Sequence, residues 1–182
     1  MEFIVDIQGF KNSSNEFIVK ELAIIALGFD SIPSVYLFKP PFEWSYLSSE
    51  RKSENFWLVR NYHGMSWDIG EVPYYDLSET LRRNLEKATK VHVKGLQKKR
   101  FLERYIPNIY NTEDLGCPSL QKIVHHSIIC DNHKDWKSCF IPNCAIRNVM
   151  ALNNWIVEHY ESSTMNFYKD VDNINDEDVG DC

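Results

Sequence analysis

The residues with the clearest chemical potential lie in the last third of this sequence, where cysteine and histidine recur at short spacing. Cys130 and His133 form a Cys-x-x-His pair. Together with Cys139 and Cys144 they place four candidate metal ligands within fifteen residues. Zinc prefers thiolate and imidazole ligands in tetrahedral sites, and a Cys-x-x-His pair can present both to one ion from a single turn. With Cys117 upstream, five residues compete for four positions. The spacing therefore predicts a structural zinc site and leaves its fourth ligand open.

Other interpretations of these residues stay open at this stage. Isolated buried thiols, or a redox site, would use the same cysteines. His126 is a reserve ligand only, because the adjacent His125 and His126 face different directions if they lie on a helix. The sequence has neither a Gly-x-Ser-x-Gly elbow nor a Gly-rich phosphate loop, so it gives no support to serine-based catalysis or to phosphate binding of that kind.

The length and composition indicate one compact domain. The chain has 182 residues, of which 43% are hydrophobic and 13% aromatic, and this is enough apolar area for a core. No apolar run approaches the roughly 18 to 20 residues that a membrane span needs, and the N-terminus lacks the basic start of a signal peptide. We therefore expect a cytoplasmic or nuclear protein without membrane contact, in which cysteines serve as thiols or metal ligands.

Charge is distributed unevenly along the chain. Residues 82–104 contain nine basic and two acidic residues, a net charge of +7, whereas residues 169–182 carry a net charge of −5. The acidic segment predicts a domain over residues 1–165 followed by a disordered tail over 166–182. The basic block is either a solvated helical face or a phosphate-binding stripe. In the second case the RNA-binding residues would be Arg82, Arg83, Lys94, Lys98, Lys99 and Arg100.

The elements that must position these residues follow from residue spacing. Three β-rich runs open the chain, at residues 2–10, 17–27 and 35–38, and predict an antiparallel three-strand meander. The later signals are one short strand and four helices, at residues 90–93, 76–88, 96–105, 118–127 and 144–160. Residues 42–71 are aromatic but weak in period, which predicts a loop with short helical pieces. The order indicates an α/β fold in which helices pack on a mixed sheet.

This order, with an acidic residue in the middle of the first strand, resembles the ribonuclease H-like exonucleases that hold metal ions with four acidic residues. Their first acidic motif, Asp-x-Glu, falls here on Asp6-Ile7-Gln8, and their second places Lys98 at an acidic position. Their third falls on Cys139 and Cys144. Two-metal cleavage needs several carboxylates to hold two cations about 3.5–4 Å apart. Because only Asp6 keeps its acid, we expect no metal-dependent nuclease activity.

Lys98 has two open roles at that position. It either pairs with Asp6 as an internal ion pair or meets an RNA phosphate, and the cost of an unpaired acid in a strand centre favours the pair. Tyr62 and Trp67 are candidates for stacking on bases. The segment Arg60-Asn61-Tyr62-His63-Gly64 is either a ligand-contact loop or an ordinary packed turn.

The loss of acids, together with Cys130-x-x-His133 and a Cys144-Ala145 pair entering the last helix, is similar to the Maelstrom domain of the small-RNA transposon-silencing pathway. In that family an upstream residue, often Glu, completes the metal set, and Cys117 is the nearest soft candidate here. The resemblance implies a zinc site of Cys117, Cys130, His133 and Cys144, with Cys139 as the alternate. It also implies single-stranded RNA binding in a silencing complex of the piRNA kind.

Three classes of function therefore compete. The first is a catalytically degenerate, exonuclease-like module that binds single-stranded RNA. The second is a protein-interaction module without nucleic-acid binding, supported by the acidic net charge and the aromatic middle segment. The third is an active 3′–5′ exonuclease or a metal-independent ribonuclease, using Asp6 with other acids such as Glu21 or Asp76.

Overall fold

The described part of the chain contains five β-strands, which pair into one mixed sheet. The computed structural model describes residues 1–123, 130–133 and 143–174. The strands are β1 (Glu2–Lys11), β2 (Phe17–Ala26), β3 (Ser34–Leu37), β4 (Lys90–Val93) and β5 (Ile109–Asn111), in the order β3-β2-β1-β4-β5. The first three strands are antiparallel neighbours, and β4 and β5 run parallel to β1. The predicted α/β class and the opening three-strand meander are confirmed.

Within the described ranges, five α-helices join or cover these strands. They are α1 (Ser49–Asn61), α2 (Leu77–Leu85), α3 (Leu96–Leu102), α4 (Leu120–Ile123) and α5 (Ala145–Ile174). The prediction of an irregular segment over 42–71 is wrong for α1. Its apolar residues are consecutive, from Phe56 to Val59, so they show no helical period, and the clearest local signal is Ser48, whose side chain accepts a hydrogen bond from the Arg51 N–H.

The sheet separates two apolar layers. One face carries Val5 and Ile7 against α2 and α3, and the other carries Ile4 against α5. Because side chains alternate along a strand, Asp6 and Gln8 share the face of Ile4. Both are buried, and Asp6 is fully inaccessible. The polar centre of β1 therefore lies beneath the N-terminal part of α5.

Gly9 allows β1 to bend at the end of this polar stretch. The pairing of β1 with β2 shifts register between Gln8 and Gly9. A Cβ at Gly9 would lie 2.0 Å from the Ile18 carbonyl oxygen, so no other residue fits without moving the backbone. Past this bulge, Phe10 packs with Trp67 in a third apolar cluster that α1 covers.

The last helix crosses the domain boundary that the sequence predicts. α5 continues to Ile174, so residues 166–174 extend the helix, and the rest of the predicted tail, 175–182, lies outside the described residues. Within the described ranges, no helix combines the length and the apolar character that crossing a membrane requires.

Candidate functional site

Four buried side chains converge between β2 and the start of α5. Glu21, Cys130, His133 and Cys144 each present a ligand atom, and these atoms lie within 4.8 Å of one another. The Glu21 carboxylate is 3.4 Å from His133 Nε2 and 3.8 Å from Cys130 Sγ. Ligands about 2.0–2.3 Å from a tetrahedral zinc would be about 3.5 Å apart. The group can hold a metal ion with only small adjustments.

Three separate segments supply these ligands. Glu21 points from β2 toward α5, and Cys144 immediately precedes α5. Cys130 precedes the 3₁₀ turn Asp131–His133, and His133 is the last residue of that turn. The His133 N–H donates to the Cys130 carbonyl over 3.0 Å, which fixes the turn. The Glu21 carboxylate also accepts hydrogen bonds from Asn132 Nδ2 at 2.9 Å and the Ala145 N–H at 2.8 Å. An ion here would tie a strand to the last helix.

The pKa values of all four groups are shifted from their ordinary values. Burial raises the pKa of Glu21, but the hydrogen bonds and charge of His133 outweigh it and leave the pKa below its ordinary value. Burial lowers the pKa of His133, and contact with Glu21 more than reverses this. A hydrogen bond from the Cys144 thiol lowers the pKa of Cys130 to about 7, and the same bond raises that of Cys144. A cation would replace the protons that these groups share.

Three of the four predicted zinc ligands come together, and the fourth does not join them. Cys117 is not a member of the group, and Glu21 occupies the fourth position. The Cys117 thiol instead lies 3.6 Å from the Pro118 carbonyl oxygen, and burial raises its pKa. Cys139 and His126, the other candidates, lie outside the described residues.

The Asp6 carboxylate is the second polar centre beneath α5. It accepts hydrogen bonds from Gln8 Nε2 and Asn148 Nδ2, each at 2.8 Å, and forms an ion pair with Lys98 Nζ. The internal Asp6–Lys98 pair is therefore confirmed. The side chain that meets Asp6 from α5 is Asn148, one turn after Cys144, whose thiol belongs to the metal group. The third motif placed Cys144 at the position that faces Asp6, whereas Asn148 occupies that position in the structure.

The predicted RNA-binding residues do not form one exposed stripe. Lys94 is buried, and its Nζ donates to the Cys117 carbonyl at 3.0 Å. Lys98 is committed to Asp6, and Lys99 pairs with Glu103. Arg82, Arg83 and Arg100 are exposed, although Arg82 also pairs with Glu79 at 2.7 Å.

The two candidates for base stacking, Trp67 and Tyr62, differ in their exposure. Trp67 is buried, with its indole N–H donating to the Phe42 carbonyl, so this candidate has no exposed ring for stacking on bases. Tyr62 is partly exposed and lines a groove at the end of β1. The neighbouring His63 is buried and bonded to the Gly9 carbonyl, which makes it a packing residue of this segment.

Two site residues were not identified from the sequence as parts of these centres. Glu21 stands beside Lys20 in an otherwise apolar strand, and two adjacent charges in a buried strand are a signal of a polar partner across the sheet. Asn148 carries no comparable signal, since an amide on a helix is ordinary. Comparison with known protein families and with curated proteins finds no match to this chain.

Proposed function

We propose that this protein is a ribonuclease H-like domain without nuclease activity, held together by a zinc ion, that binds single-stranded RNA. The observation that carries the proposal is the environment of Asp6. A carboxylate at the centre of β1 is neutralised by Lys98 and hydrogen-bonded by two amides. The order of strands and helices, with this acid in the middle of the first strand, supports the ribonuclease H-like assignment.

The absence of catalysis follows from charge. Two divalent cations need several carboxylates around them, because the ions otherwise lose more hydration energy than the site returns. Here Asp6 is surrounded by an ammonium group and by amide N–H donors, which repel a cation. Restoring a metal pair would require changes at several positions, including Gln8, Lys98 and Asn148.

Zinc is the metal that the donor set favours. Two thiolates, one imidazole and one carboxylate suit a d¹⁰ ion with tetrahedral preference, and Mg²⁺ or Ca²⁺ would reject the sulfur ligands. All four ligands are buried, so the ion would have no open position for a reacting water. Its role is structural, and it joins β2 to α5 above the Asp6 centre.

Elemental analysis tests the zinc assignment. We expect one zinc per chain in the wild type and substantial loss of zinc in Glu21→Gln and in Cys130→Ser. Cys117→Ser is the matched control, since it removes a buried thiol outside the group, and it should keep the metal. Zinc retained by Glu21→Gln and lost by Cys117→Ser would return the fourth position to Cys117.

RNA binding is supported by exposed basic groups on α2 and α3 and by a groove that lysine side chains line. Arg83 on α2 and Arg100 on α3 are exposed, and Lys11 and Lys98 line the groove. Phosphate neutralisation releases counterions, so affinity for single strands should fall with salt with a slope of about −0.7 per contact. The resemblance to the Maelstrom domain adds a silencing complex as the proposed setting.

Fluorescence anisotropy of a labelled single-stranded RNA over a salt series tests this binding. Arg83→Ala and Arg100→Ala should each flatten the salt slope by about 0.7. Lys52→Ala on α1 removes a lysine whose Nζ bonds to the Ser45 carbonyl, and it serves as the control. Binding that is weak and insensitive to salt in the wild type would contradict the proposal.

A protein-interaction role is the second candidate, and α1 favours it. Phe56 and Trp57 on this helix are 54% and 56% exposed, and adjacent exposed aromatics are typical of protein interfaces. Substituting both with Ser distinguishes the two functions. RNA affinity should be unchanged, whereas a protein contact through this patch would be lost.

A further inference from the structure

A groove of about 230 Å³ opens at the end of β1, between α1 and α3. Its floor is formed by Phe17 and Phe101, whose rings meet edge to face with centroids 5.4 Å apart. Tyr62 stands at one side, and Gln97 and Lys98 at the other. Gln8 and Lys98, two of the degenerate metal positions, also line the groove, so the groove adjoins the Asp6–Lys98 ion pair.

The lining has a distinct electrostatic character. Lys11 contributes a positive charge, whereas the ammonium group of Lys98 is paired with Asp6. Gln8 and Gln97 contribute amides, and no acidic side chain lines the groove among the residues that the structure describes. Such a lining complements an anionic ligand that also has a planar apolar part and a polar edge. A nucleotide has all three features, because it combines a phosphate, an aromatic face and hydrogen-bonding groups.

We propose that this groove binds one unpaired nucleotide of a single RNA strand, with its base against Tyr62, an inference that rests on the RNA-binding function proposed above. The size supports a single nucleotide, because pockets that enclose drug-sized ligands have about 300–1,000 Å³ and this one is smaller. A duplex end or a folded peptide would not enter.

Each lining group has a role that its surroundings allow. Arg104 already covers the Phe101 ring, with its guanidinium carbon 4.3 Å from the centroid, so Phe101 serves as floor. Tyr62 is 37% exposed and offers its ring to the base. The exposed Gln97 amide provides a donor and an acceptor for the base edge. Both backbone groups of Lys11 bond to the Asn55 side chain, which fixes the chain at the groove mouth and leaves the ammonium group for phosphate.

A ten-nucleotide single-stranded RNA with one 2-aminopurine tests the proposal, because stacking quenches the fluorescence of this base. Tyr62→Ala should abolish the quenching and weaken binding by about 5- to 150-fold, the loss expected for one base–aromatic stack. Tyr62→Phe keeps the ring and should behave as the wild type. Gln97→Ala should weaken binding, and in matched RNAs that carry each of the four natural bases in place of 2-aminopurine it should change the preference among them.

Two matched controls separate the groove from general surface effects. Tyr75→Ala removes an exposed tyrosine, and Gln121→Ala removes an exposed glutamine on α4; neither residue lines the groove. Both variants should bind RNA as the wild type does, and melting curves should show every variant folded.

The outcomes distinguish this inference from the function on which it rests. Quenching that depends on Tyr62 supports the groove as a nucleotide site. Salt-dependent RNA binding that is unaffected by Tyr62→Ala and Gln97→Ala, without quenching, overturns the groove and leaves RNA binding in place. A wild type that binds no single-stranded RNA overturns both.

Discussion

Replacing Lys98 with Met should destabilise the domain, because it leaves the Asp6 carboxylate buried without its counter-charge. Asp6 is fully buried, while the Lys98 side chain is 21% exposed, so the cost falls mainly on the acid. Removing one partner of a buried pair typically costs about 3–5 kcal/mol. Met keeps the apolar stem of Lys98, which limits any loss of packing.

Two hydrogen bonds that remain at Asp6 reduce this free-energy cost. Asp6 would retain hydrogen bonds from Gln8 and Asn148, and bonds to charged groups contribute about 1.5–3 kcal/mol each. We therefore expect a loss of about 2–3 kcal/mol for Lys98→Met, a value just below the typical range for a buried pair. For a chain of this size that corresponds to a drop of about 4–12 °C in Tm.

Urea denaturation of a double-mutant cycle measures this pair. Asp6→Asn combined with Lys98→Met should be more stable than the sum of the two single losses predicts, with a coupling of about 1–3 kcal/mol. Lys99→Met is the control, because its partner Glu103 is exposed and surface pairs contribute at most about 1 kcal/mol. A Lys98→Met variant as stable as Lys99→Met, with no coupling to Asp6, would refute the reasoning.

Three further predictions concern metal, acid and salt. Chelation, or Cys130→Ser, should lower Tm by about 8–16 °C if zinc is present at about a thousandfold above its Kd, whereas calorimetry of Cys117→Ser should show the wild-type response to chelator. Burial lowers the pKa of His63 to about 4, so the unfolded chain binds a proton below about pH 6.5 that the folded chain refuses. Stability should therefore decline from pH 6.5 toward 4, by up to about 1.4 kcal/mol per pH unit, and denaturation of His63→Gln should lack that part of the slope. The double variant of Arg83 and Arg100 to Ala should reduce the RNA salt slope by about 1.4, and an unchanged slope would assign binding to other residues.

The strands that position the site could be predicted from the sequence, because buried strands are rich in apolar and β-branched residues. β1 and β2 are β-rich on either side of a polar turn, and the sheet needs no more than that to pair them antiparallel. α1 was not readable, because it covers the β1 end with only part of its surface. Asn55 bonds to the backbone of Lys11 and Phe56 faces solvent, so the apolar period that marks most helices is absent.

The candidate site was half readable for a similar reason. Cysteine and histidine are uncommon, and their short spacing indicates that they bind one metal ion. Cys130, His133 and Cys144 could therefore be predicted together. Glu21 lies more than a hundred residues away, and only the sheet and α5 bring it to them. The exposure of the basic block could not be predicted, because the order of charges along the chain does not show which side chains are buried. Lys94 is buried, and its Nζ donates to the Cys117 carbonyl.

Incubating labelled single-stranded RNA with the wild type in Mg²⁺, Mn²⁺ or EDTA, and measuring binding and strand length in the same samples, tests the central claim most directly. The exposed basic groups predict that RNA binds in all three conditions. The neutralised Asp6 centre predicts RNA of full length throughout and no change in strand length with Asp6→Asn. Degradation that requires Mg²⁺ or Mn²⁺ and disappears in Asp6→Asn would contradict it.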